Sequence, residues 1–247
     1  MADAGNKEAV CLFNWPVLVV IFLAVLTHGL VGFGSSMVAM ALLPHWMSLR
    51  EAAPLVSLVV GTLEVALLVR YHAAVKWRAI WRVGLGMLVG VPIGVWALDR
   101  LNASVLTVAL GLLIVAYSVY ALLNLHVPRL QHPGWAVGFG LLAGVLAGLF
   151  NFAGPVVIIY GQCRQWESDE FKGNLQALFL VNQVLVIINR ALAGTFTASV
   201  LQNYLSSLPV MVIGVVVALG LARLLSPGTY RRLALIMLLI LGAQLLV

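Results

Sequence analysis

Thr27-His28-Gly29-Leu30-Val31-Gly32-Phe33-Gly34-Ser35-Ser36 interrupts an apolar run that extends from Pro16 to Pro44. A glycine inside a helix costs about 1 kcal/mol relative to alanine, so Gly29, Gly32 and Gly34 mark the weakest helical point of a run otherwise made of Val, Leu, Ala and Met. Residues 16–43 form a stretch of 28. As one straight helix it would measure about 42 Å, against a hydrocarbon core of about 30 Å. The stretch therefore predicts a helix that breaks, with Gly32, Gly34, Ser35 and Ser36 at the break.

Outward from this motif the chain is 63% hydrophobic and only 9% charged, with a mean hydropathy of +1.08. Soluble domains carry about a quarter charged residues, so an ordinary soluble fold is excluded and an all-α polytopic membrane protein is expected. Apolar segments fall near 16–43, 52–69, 80–98, 103–123, 134–161, 172–192, 205–222 and 230–246. The first is too long for a signal-peptide core and follows a mixed-charge leader with Asp3, Lys7 and Glu8, so it is read as retained. Cys11 and Cys163 lack metal-like spacing and read as free thiols. The net charge of +6 sits between apolar spans. It reads as topological bias, with no nucleic-acid role.

Adding 119 to residues 32–71 superimposes their features on 151–190. Gly32-Phe33-Gly34-Ser35-Ser36 falls on Asn151-Phe152-Ala153-Gly154-Pro155, and Glu51 falls on Glu170. Arg100-Leu101 then matches Arg223-Leu224 at an offset of 123. The chain is read as a duplication, with a first repeat over 1–124, a connecting loop over 125–132 and a second repeat over 133–247.

The Lys and Arg positions choose between a parallel and an inverted arrangement. With all eight segments crossing, the two sides receive seven basic residues each. With the first and fifth segments entering and returning as re-entrant hairpins, the sides receive four and ten. The second pattern has the bias that membrane proteins show. It predicts an inverted repeat, each half a re-entrant broken-helix hairpin plus three transmembrane helices. Gly86, Gly90 and Gly94, and likewise Gly140, Gly144 and Gly148, recur every fourth residue and predict close helix approach. Trp15, Trp46, Trp77, Trp81, Trp135 and Trp166 lie near span ends and read as interface anchors.

Non-helical backbone at membrane depth must be buried in protein or line a polar cavity. Helices restarting after Gly34 and Ala153 would present free amides and positive dipole ends, a setting for an oxyanion. Ser35, Ser36, Asn151 and Gly154 could contribute there, or the glycines could serve tight packing alone. Gln176, Gln183 and Arg190 are spaced by seven and share one helical face; their repeat mates are Ser57, Glu64 and Tyr71. Asn174, Asn182 and Asn189 add to the second stripe. These polar positions predict either a solute path or interhelical bonding. Glu64, the one acidic residue deep in a span, and His28 are candidates for proton coupling; a permanently protonated Glu64 is the structural alternative. His45, His72, His126 and His132 fall in loops.

Duplicated halves that each begin with a broken glycine-rich helix, then an acidic turn (Leu49-Arg50-Glu51-Ala52 and Ser168-Asp169-Glu170) and a polar-striped helix, resemble the sulfite exporter TauE/SafE family of membrane transporters. The resemblance covers nearly the whole chain. Where the family shows a Gly-x-Gly-Gly-Gly-like core, this chain places Ser35 and Ser36 in the first copy and Pro155, which lacks an amide, in the second. The resemblance implies transport of sulfite, sulfonates or related small anions across a prokaryotic plasma membrane. The partners would be a small anion, the bilayer and, as one option, a homo-oligomer. The residues alone imply a central site suited to a small anion. No Walker motif, His-Glu-x-x-His motif or Gly-x-Ser-x-Gly elbow is present, so no cofactor, metal or catalytic residue is expected. A passive anion channel, and an intramembrane hydrolase using Ser35 or Ser36 with a histidine, are the rivals.

Overall fold

The computed structural model describes residues 14–124, 127–130, 132–222 and 227–246. Cys11 and His126 lie outside them, as do the side chains of Arg70, Tyr71 and His72. Every regular element among the described residues is helical: α1 (Trp15–Val31), α2 (Ser35–Leu42), α3 (Leu49–Tyr71), α4 (Trp77–Arg100), α5 (Ala103–Leu122), α6 (Gly134–Phe150), α7 (Gly154–Cys163), α8 (Ser168–Leu192), α9 (Ala198–Leu221) and α10 (Pro227–Gln244). A medium helix, a short helix and three long ones therefore occur twice in the same order.

Both long apolar runs break at the expected motifs. α1 ends on Gly32, whose φ of 84° is left-handed and whose amide bonds the carbonyl of His28 at 2.7 Å; Gly34, at φ 98°, then starts α2. Glycine takes this conformation without steric cost. α6 ends on Asn151 at φ 56°, its amide 2.8 Å from the carbonyl of Ala147. Asparagine is among the few other residues that tolerate it. Ala153, the mate of Gly34, stays right-handed at φ −71°, so the second break is tighter by one left-handed residue.

The acidic turns have structural work. Glu51 accepts from the amide and hydroxyl of Ser48 at 3.3 and 3.0 Å, a capping box at the start of α3. Arg50 reaches the end of α4 and donates to the carbonyls of Asp99 and Leu101 at 2.8 and 3.3 Å. In the second half Glu170 pairs with Lys76 Nζ at 2.8 Å, while Asn174 Oδ1 accepts the Lys76 amide at 2.8 Å. α9 starts seven residues before its apolar run because the Thr197 hydroxyl caps it, accepting from the Val200 amide at 3.3 Å.

These contacts fix helix directions. Arg50 at the start of α3 meets the end of α4, so α3 and α4 are antiparallel. Asn174 at the start of α8 meets Lys76 at the start of α4, and Arg190 near its end bonds Gly148 beside Gly94, so α4 and α8 are parallel. The two glycine triplets face each other: a Cβ at Gly86 would stand 2.8 Å from the Gly140 carbonyl carbon, one at Gly90 3.1 Å from Gly144 Cα, and one at Gly94 2.9 Å from Gly148 Cα. That register makes α4 and α6 parallel. α1 and α9 repeat it more loosely, with Gly214 against Val25 and Gly29 against Ala218.

α4, α5, α8 and α9 are each long and apolar enough to cross a membrane. Their outward faces carry large apolar side chains, such as Leu88 at 54% exposure and Val212 at 65%, which only a lipid-facing surface accommodates in bulk. Trp15, Trp46, Trp77, Trp81 and Trp135 are exposed as expected of anchors. Trp166 differs: it is packed edge-on between Tyr160 and Phe171, with ring centroids at 5.6 and 6.4 Å.

Candidate functional site

The two breaks meet in the interior. A cavity of about 30 Å³, room for roughly one or two waters, is enclosed between the start of α2 (Gly34, Ser35, Ser36), the second break (Asn151, Ala153, Gly154), His28 of α1, Val60 and Glu64 of α3, and Phe179, Asn182 and Gln183 of α8, with Phe33 at its edge. Nine of the twelve residues singled out in the sequence line it. The lining contains four pairs of positions 119 apart: Gly34 and Ala153, Ser35 and Gly154, Val60 and Phe179, Glu64 and Gln183.

The three remaining residues have other places. Gly32 and Gln176 line a second, largely apolar cavity of about 620 Å³ bounded by α1, α3, α8 and α9, with Lys172 on its wall. Phe33, Phe179 and His28 belong to both cavities and separate them. Ser57 lines neither: its hydroxyl donates to the Pro54 carbonyl at 2.6 Å, and its carbonyl accepts Gln183 Nε2 at 2.6 Å.

Each break is held by the polar-striped helix of the other half. Gln176 Nε2 of α8 donates to the Gly32 carbonyl at 3.1 Å, and Asn151 Nδ2 donates to the Ala53 carbonyl of α3 at 2.8 Å. His28 Nδ1 and the Ser35 hydroxyl are 2.8 Å apart across the first break, and His28 Nε2 stands 3.8 Å from Glu64 Oε1. All of these side chains are buried. Several nonetheless keep an atom without a hydrogen-bond partner: His28 Nε2, Glu64 Oε2, Asn151 Oδ1 and Asn182 Oδ1. Such groups are costly in an interior unless something fills the space between them.

The starts of α2 and α7 border the cavity, with Ser35, Ser36 and Gly154 in its lining. The earliest intrahelical bonds run from Val38 to Gly34 and from Val157 to Ala153, so the amides of Ser35, Ser36 and Met37, and of Gly154 and Val156, have no backbone acceptor in a preceding turn. Among the described residues no group of three or more His, Cys, Asp or Glu could hold a metal ion. Cys163 is a buried free thiol.

Phe33, Val60, Ala153 and Phe179 line the cavity without having been singled out as site residues. For Val60, Ala153 and Phe179 the repeat register was the signal that could have found them, whereas Phe33 has no mate in the lining. Val60 and Phe179 are mates one helical turn before Glu64 and Gln183, and Ala153 is the mate of Gly34.

Crossing helices with lipid-facing apolar surfaces around an enclosed polar centre define a polytopic membrane protein. The chain belongs to the sulfite exporter TauE/SafE family, whose description matches residues 17–245, and it is a membrane transporter. It is 33% identical over 174 residues to a probable inner membrane transporter protein TsaS of Comamonas testosteroni, covering 69% of this chain and 72% of the relative. It is 28% identical over 222 residues to a probable sulfite/organosulfonate exporter TauE of Cupriavidus necator, covering 87% and 86%. No solved structure matches the chain.

Proposed function

We propose that the protein is a secondary transporter that moves a small anion, sulfite, a sulfonate or a related organic acid, across a prokaryotic plasma membrane. The observation that carries this reading is the convergence of two broken-helix starts on one buried cavity whose polar groups lack partners. Unpaired amides and two positive dipole ends favour an anion there. Ser35 and Ser36 add hydroxyls and Asn182 a side-chain amide, while Asn151 and Gln183 shape the site through their bonds to the Ala53 and Ser57 carbonyls. The name of the Cupriavidus necator relative points to sulfite and organosulfonates. Phe33, Phe179 and His28 stand between this cavity and the larger one, and in this reading the anion enters past them.

The repeats over 1–124 and 133–247 are inverted in this reading. Helix directions support it: α4 runs with α6 and α8, while α3 and α9 run against them, so mates point in opposite directions. In this reading α1–α2 and α6–α7 are re-entrant hairpins, and α3–α5 and α8–α10 are six crossings. Alternating access rocks one half against the other around the cavity. Glu64 and His28 carry the coupling proton.

The test is exchange in proteoliposomes. Loaded with sulfite, they should take up labelled sulfite faster than empty ones, with saturation, and Ser36→Ala or Asn151→Ala should raise the half-saturating concentration. Uptake that is indifferent to internal anion and never saturates would replace this reading with a passive channel.

A further inference from the structure

Arg190 is fully buried in α8, on the same face as Gln176 and Gln183. Its Nη2 donates to the Gly148 carbonyl at 2.8 Å, one turn before the break at Asn151. Its Nε and Nη1 have no hydrogen-bond partner, and among the described residues no carboxylate lies within ion-pair distance, the Asp99 carboxylate acting on it only from further away. Capping α6 uses one of the five N–H donors of a guanidinium. Burying the other donors of a guanidinium without acceptors is expensive in any interior and more so within a membrane.

Its place along α8 gives the charge a use. Lys172 and Gln176 line the large cavity at the helix start, Asn182 and Gln183 line the small central one, and Arg190 follows about 10 Å beyond Gln183. One helix face thus presents a cation, an amide, the central amides and a second cation in sequence. The large cavity opens the first end. The Arg190 end is closed.

We propose that Arg190 is a second contact for the transported oxyanion, engaged through Nε and Nη1 when the central cavity opens toward the end of α8 that is closed here. This rests on the transporter reading above. In the opposite state the anion would pass from the helix starts to a guanidinium, whose paired N–H groups fit two oxygens of a sulfonate, sulfite or carboxylate head. An arginine serving only as the cap of α6 would stay sealed from both aqueous sides throughout.

Two measurements separate these roles. In a background of Cys11→Ser and Cys163→Ser, Arg190→Cys is exposed in right-side-out and inside-out vesicles to the anionic thiol reagent 2-sulfonatoethyl methanethiosulfonate, with Val186→Cys, buried in the same helix, as control. We expect Arg190→Cys to be modified at least tenfold faster than Val186→Cys from the face at which α8 ends. In proteoliposomes Arg190→Gln should lower labelled-sulfite exchange at least tenfold, with Arg190→Lys recovering part of it while both melt near the wild-type temperature. Arg190→Cys that stays unmodified from both faces, or Arg190→Gln that exchanges at the wild-type rate, overturns the proposal. If the wild-type protein exchanges no sulfite, the substrate reading fails, and the labelling still decides whether Arg190 lies on an access path.

Discussion

Gly90 and Gly144 lie back to back in the α4–α6 contact: a Cβ on the first would sit 3.1 Å from Cα of the second, and one on Gly144 would sit 2.9 Å from Cα of Met87. The obstructing atoms are backbone, so nothing flexible can yield. Gly90→Leu or Gly144→Leu should cost about 3 kcal/mol, the upper end of ordinary overpacking, or prevent folding. Gly84 and Gly138, on the same two helices, meet nothing within 4 Å. Their alanine variants should gain up to about 1 kcal/mol. Melting of the detergent-purified protein, followed by tryptophan fluorescence, checks the contrast, and equal melting of Gly90→Leu and Gly84→Ala would refute it.

Asn151 combines a left-handed backbone with a side-chain bond to Ala53, so its substitutions should rank by how many of these they remove. Asn151→Gly keeps the conformation and loses the bond, at about 1 kcal/mol. Asn151→Ala loses the bond and adds about 1 kcal/mol of left-handed strain. At Gly32 only strain is at stake, because a Cβ there has open space around it. Gly32→Ala should therefore match the difference between the two Asn151 variants. Thermal melts of the three proteins give the comparison, and Asn151→Ala as stable as Asn151→Gly would show that the backbone there relaxes.

Much of this arrangement was legible in the chain because membrane folds write their constraints into length and composition. The 28-residue runs could not cross straight, and glycine or asparagine had to stand where the backbone turned left-handed. The fourfold glycine spacing announced close contacts, although nothing in it said that the two triplets were each other's partners. Ser57 shows the limit of a polar stripe: its hydroxyl is satisfied within its own helix, as serine's short side chain allows, while its mate Gln176 reaches across to the first break. Phe33, in the break itself, and Phe179, on α8, are harder to place, since an aromatic side chain alone does not say whether it fills a core or stands between two cavities. The acidic turns read as a family mark, and Glu51 turned out to cap a helix.

The contact between His28 and Ser35 supplies part of what an intramembrane hydrolase would need, with Glu64 beyond the ring. Ser35 is 1% exposed. The cavity it lines has room for roughly one or two waters, too little for a bulky electrophile. A fluorophosphonate probe should therefore leave the protein unlabelled, as judged by intact-protein mass spectrometry. A single adduct that disappears in Ser35→Ala would turn the assignment toward catalysis.

Glu64 and His28 are close enough to feel each other's charge, yet at 3.8 Å they share no hydrogen bond, and each keeps an unpartnered atom. A proton arriving on the ring while the carboxylate is charged would draw the two together and pull on Ser35, which the other ring nitrogen holds at the start of α2. In the proposed cycle, protonation is thereby linked to the position of the start of α2. Glu64→Gln keeps the size of the side chain and removes its charge. It should abolish accumulation of labelled anion driven by a pH gradient while leaving exchange of internal for external anion within about threefold, because exchange needs no net proton movement. His28→Ala should weaken both, since it also releases Ser35. Proteoliposome uptake with and without an imposed gradient distinguishes the outcomes. Gradient-driven accumulation that survives in Glu64→Gln would remove this residue from the coupling path.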